Sequence, residues 1–89
     1  TTAVGLQAAA FGDNSSAFGA NSTALADFST AIGANSRAEG SLSTAVGEFT
    51  RATGDQSTAV GQSAQALAAN TTALGQNSLA SGTDATALG

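Results

Sequence analysis

The sequence predicts an all-β fold: a single-stranded parallel β-roll, or β-solenoid, whose coils of 14 residues carry two short strands each. Three observations predict it. From Ala3 onward every seventh residue is Ala, through Ala10, Ala17, Ala24, Ala31, Ala38, Ala45, Ala52, Ala59, Ala66, Ala73, Ala80 and Ala87. Two residues after each comes Gly, replaced only by Ala26 and Ala68, and all 11 glycines of the chain lie in this column. The residue between them alternates in kind, which doubles the period to 14. In one half it is Val4, Phe18, Ile32, Val46, Val60, Leu74 or Leu88, always bulky and apolar; in the other it is Phe11, Leu25, Glu39, Thr53, Leu67 or Ser81.

A coiled-coil heptad shares the seven-residue period, but its seam needs large apolar residues at two positions per repeat. Here the invariant positions are Ala and Gly, and Ser and Thr fill much of the rest. Each Gly inside a helix would cost about 1 kcal/mol relative to Ala. Short strands suit the pattern better. In Ser43-Thr44-Ala45-Val46-Gly47 alternate side chains share a face, so Ser43, Ala45 and Gly47 point one way and Thr44 and Val46 the other. Gly then leads into a tight turn where positive φ is tolerated, at Gly5, Gly12, Gly19, Gly33, Gly40, Gly47, Gly54, Gly61, Gly75 and Gly82. Ala26 and Ala68 imply that the turns after Leu25 and Leu67 need no positive φ. Polar residues such as Gln56, Asn70 and Asn77 lead into the following strand.

The two strands of a coil face different surroundings. The residue before Ala is Thr2, Ser16, Thr30, Thr44, Thr58, Thr72 or Thr86 in the first strand, but Ala9, Thr23, Arg37, Arg51, Gln65 or Leu79 in the second. A uniform Thr/apolar face marks an inner strand, and tolerance of charge marks an outer one. Stacked at about 4.8 Å, roughly six coils give a rod near 30 Å long, with Ser, Ala and Gly between two closely spaced sheets. Such an interior buries little apolar area against a backbone entropy of about 1 to 2 kcal/mol per residue. The seven bulky inner-strand residues, at roughly 1.5 to 3 kcal/mol each if buried, are the largest unused reserve. Burial against other copies of the chain is therefore expected.

Segments such as Asn35-Ser36, Ser43-Thr44-Ala45-Val46-Gly47 and Ser57-Thr58-Ala59-Val60-Gly61 resemble the S-x-A-[IV]-G repeats of YadA-like head domains, found in trimeric autotransporter adhesins of Gram-negative bacteria. The resemblance spans essentially all of residues 1–89, one head repeat segment of a longer surface protein. It implies a left-handed roll assembled as a homotrimer, with Val4, Phe18, Ile32, Val46, Val60, Leu74 and Leu88 at the interface. It also implies cell-surface exposure, outer-membrane anchoring through other segments, and a part in virulence. The partners it implies are host matrix proteins such as collagen, fibronectin or laminin, or other cells. Handedness and the number three come from the resemblance alone, and no receptor-binding motif is carried over with it.

Composition narrows the chemistry. His, Cys, Lys and Tyr are all absent, which leaves carboxylates and hydroxyls as the only acids, bases or nucleophiles. No enzyme and no cofactor is expected. A net charge of −4, with Arg37 and Arg51 the only cations, argues against nucleic acid or an anionic membrane surface as partner. Asp13, Asp27 and Asp55 share a turn column; paired carboxylates can serve glycoside hydrolysis or Ca²⁺, but Asp is also an ordinary solubilising turn residue, and that reading is preferred. Asn21 and Asn35, one coil apart, suggest an amide ladder. On the outer strand Arg37, Glu39, Arg51, Leu67 and Leu79 form the candidate adhesive face, with scattered surface residues and weak ion pairs as the plainer explanation. Two other functions compete: an ice-binding solenoid using an exposed Thr/apolar ladder, and a passive spacer in a surface fibre.

Overall fold

The computed structural model describes all 89 residues as thirteen strands and no helix. The odd-numbered strands are β1 (Thr2–Val4), β3 (Ser16–Phe18), β5 (Thr30–Ile32), β7 (Thr44–Val46), β9 (Thr58–Val60), β11 (Thr72–Leu74) and β13 (Thr86–Leu88). The even-numbered strands are β2 (Ala9–Ala10), β4 (Thr23–Ala24), β6 (Arg37–Ala38), β8 (Arg51–Ala52), β10 (Gln65–Ala66) and β12 (Leu79–Ala80). Odd strands form one parallel sheet in the order β1-β3-β5-β7-β9-β11-β13, and even strands form the other, β2 to β12. Every pairing is offset by one 14-residue coil: Ala31 lies beside Ala45, and Ala38 beside Ala52. The Cα atoms extend 30 × 22 × 10 Å, so the whole molecule, both sheets included, is a thin slab.

The thinness follows from the core. Eleven Ala residues are buried with at most 2% exposure, and beside them lies a column of Ser and Thr from Ser15 to Ser78. No fully buried side chain is larger than Thr50 or Thr71. Buried hydroxyls need acceptors, and most find one three residues upstream. Ser22 Oγ donates to the Gly19 carbonyl at 2.8 Å, and Thr71 Oγ1 to that of Ala68 at 2.7 Å. Ala64, equally buried, holds the same position with no hydroxyl at all.

Each corner is a four-residue turn that begins at the Gly column. The Ser22 N–H donates to the Gly19 carbonyl at 3.2 Å, while Asn21, third in the turn, has a φ of 60°. A closing hydrogen bond with positive φ at the third residue is the signature of a type II turn. Turns also stack, since Asn21 N–H reaches the Leu6 carbonyl of the preceding coil at 2.9 Å. The left-handed residue is thus two places beyond Gly.

Gly itself is needed for two different reasons. Gly5, Gly19, Gly33, Gly47, Gly61 and Gly75, after the odd strands, have φ between 118° and 129°, whereas Gly12, Gly40, Gly54 and Gly82 are not at positive φ. Freedom of φ therefore does not account for the glycines after the even strands; close approach accounts for three of them. A Cβ on Gly12 would lie 2.1 Å from the Ala26 carbonyl oxygen in the next coil. Ala26 and Ala68 fall in this second set.

Candidate interaction faces

The odd-strand sheet turns two side-chain columns outward. Ser16 and the Thr residues from Thr30 to Thr72 are half-buried, and beside them runs the apolar column Val4, Phe18, Ile32, Val46, Val60, Leu74 and Leu88. Exact register stacks this column into one continuous stripe along the molecule. Within a single chain it stays open: Ile32 is 40% and Leu74 39% exposed, and only Val46 and Val60 are as much as half-buried. Leu6 and Phe49 extend the apolar surface around the corner that follows these strands.

The even-strand sheet is mixed. Arg37 and Arg51 lie in register on β6 and β8, and Glu39 sits between them. Its Oε2 pairs with Arg37 Nη2, and its Oε1 meets Arg51 Nη2 at 3.5 Å and accepts a hydrogen bond from Thr53 Oγ1 at 3.2 Å. One carboxylate thus relieves two like charges that would otherwise repel across adjacent strands. Leu67 is half-buried one coil beyond Arg51, and Leu79 is exposed two coils beyond it, in a different column. The structure therefore brings Arg37, Glu39 and Arg51 together and sets the two Leu residues on the next two coils, outside the ion pairs.

Turn residues do work that the sequence did not disclose. Asp27 Oδ1 accepts from the Asp13 backbone N–H of the preceding coil at 2.9 Å, and Asp55 Oδ1 from that of Ser41 at 3.1 Å. Each carboxylate caps an amide that the turn leaves free. The expected Asn21–Asn35 ladder does not form; both asparagines instead serve their left-handed φ of 60°, which Asn tolerates. The side-chain ladder runs through another column, with Gln62 Nε2 donating to Glu48 Oε1 at 3.2 Å and Gln76 Nε2 to Gln62 Oε1 at 3.1 Å. No three Asp or Glu residues converge as a metal site, and no pocket indents either face. What the molecule offers a partner is flat surface.

A repeat-built parallel β-roll with small residues inside and broad faces outside defines the chain as a β-solenoid. Comparison with protein families matches the YadA head domain repeat (2 copies) over residues 1–22, 12–36, 38–64, 52–78 and 66–89. The chain belongs to the YadA head family. Among curated proteins, none matches the sequence.

Proposed function

We propose that the chain is a homotrimeric head segment of a bacterial surface adhesin, attaching cells to host matrix or to other cells through its assembled surface, with neither catalysis nor cofactor. The observation that carries this reading is the open apolar stripe from Val4 to Leu88 on an all-parallel sheet. Parallel sheets are ordinarily covered on both faces. A stripe this long on a soluble surface marks an interaction site or an aggregation hazard. Family membership favours covering by two further copies, which leaves the even-strand face, with Arg37, Glu39, Arg51, Leu67 and Leu79, turned outward. Exposure at the cell surface follows, with outer-membrane anchoring supplied by other parts of the polypeptide.

The test is adhesion of the assembled segment to surfaces coated with collagen, fibronectin or laminin, against an albumin-coated control. Saturable retention on one coating, lost on joint replacement of Arg37, Arg51, Leu67 and Leu79 by Ser, supports adhesion through the even-strand face. Retention equal to albumin on all three, and no cell-to-cell aggregation when the segment is displayed, would remove the adhesive role and leave a spacer.

A further inference from the structure

Twelve residues, one per corner, hold left-handed φ values of 56° to 63°. Nine are Asn, Gln, Asp or Ser, while Phe28, Leu42 and Phe49 are large and apolar. A bulky side chain at positive φ is a true conformational outlier, and strain of this kind persists where function or packing over-determines it. These three are also more than half exposed, at 55%, 54% and 54%. Hydrogen bonds of the turn hold the backbone of these corners, but the apolar side chains stay open to solvent within one chain.

Phe28 and Leu42 occupy the same corner on successive coils, where their backbone N–H groups donate to Asp13 and Asp27 carbonyls at 2.8 and 3.1 Å. That corner precedes the odd strands. The apolar stripe lies at the opposite, C-terminal ends of those strands, beside the corner of Phe49. One sheet face is therefore flanked by two different apolar patches. A threefold ring is heterologous and requires two different patches, because each copy meets the next through unlike surfaces.

We propose that the Phe28–Leu42 corner is the complementary half of the contact between copies, covering the Ile32 and Val46 stretch of the stripe on the next copy. If the rolls run parallel to the threefold axis, residues at equal height meet. Phe28 and Ile32 are four residues apart in a 14-residue coil, less than half of one rise of about 4.8 Å. The same holds for Leu42 and Val46. This proposal rests on the trimeric reading above.

The experiment is a dilution series of the 89-residue chain and its F28N/L42N variant, with mass by light scattering and secondary structure by circular dichroism. Asn is the residue these corners use elsewhere, so the single-chain fold is kept or strengthened. The expected result is an unchanged β spectrum with the concentration for half-assembly raised at least about tenfold, a modest figure for losing two buried apolar side chains per copy. L42Q, which copies Gln56 of the next coil, is expected to give a smaller shift in the same direction. A wild-type trimer that V46D dissociates, but whose half-assembly point F28N/L42N and L42Q leave within about twofold, overturns the corner contact and spares the trimer. A wild-type chain that is monomeric at every concentration overturns both.

Discussion

Backbone geometry decides which residue can stand at each position of a corner. At Gly33 a φ of 122° and a Cβ that would lie 2.7 Å from the Gly47 carbonyl oxygen exclude every other residue. At Gly82, in the last turn, neither restriction applies. Gly33→Ala is therefore expected to destabilise the roll by about 2 kcal/mol or more, whereas Gly82→Ala stays within about 0.5 kcal/mol, both read from urea midpoints. Equal effects would mean that the turns yield more than their hydrogen bonds suggest. The glycine column was legible because most of its positions exclude a Cβ, although its reason was only half so: close approach and positive φ leave the same mark in a sequence. The left-handed column was harder to see. Asn14, Asn21, Asn35, Asn70 and Asn77 signal it, but Phe28, Leu42 and Phe49 obscure the pattern, since their presence obeys no local propensity.

The coil is the unit at the next scale, and ladders between coils hold its neighbours in place. Register followed directly from the 14-residue period, because any slip would place Thr44 and Val46 inside and Ala45 outside. Interactions between turns did not follow, since a carboxylate at Asp27 or Asp55 that caps an amide one coil away looks like any solubilising turn residue. Arg37, Glu39 and Arg51 lie between these cases: their shared face was readable, and the way Glu39 divides its two oxygens between the arginines was not. Glu39→Gln leaves two like charges in register without relief. A loss of about 0.5 to 1 kcal/mol is expected at low salt, shrinking as ionic strength rises and screens the pair. A loss independent of salt would point to packing of the Glu39 side chain as its real contribution.

For the whole molecule, stability is a sum over coils, each touching only its neighbours. The first seven residues are all exposed, while the middle coils bury Ala and Ser completely on both sides. Hydrogen exchange is accordingly expected to be fastest in β1 and β13 and slowest around β5, β7 and β9; uniform protection would contradict a linear stack. The two faces should respond differently to charge. Val46→Asp and Val60→Asp each place an unpaired charge on the stripe proposed to lie between copies and are expected to abolish assembly, whereas Thr53→Asp on the other sheet is expected to be tolerated. Equal effects would reverse the assignment of faces. The division into two sheets, one with a uniform apolar column and one mixed, was legible in the alternation of Val46, Val60 and Ile32 with Glu39 and Thr53. The corner residues that complete the proposed contact were not, because a seven-residue repeat shows what recurs and hides what departs from it.

The most direct test is the solution mass of the 89-residue chain by light scattering across a dilution series, with circular dichroism on each sample. A concentration-dependent trimer with a β spectrum is the predicted result, and it places the Val4 to Leu88 stripe between copies. A folded β monomer at every concentration would contradict it, leave the Thr and apolar columns facing water, and make a flat ice-binding surface the next property to measure.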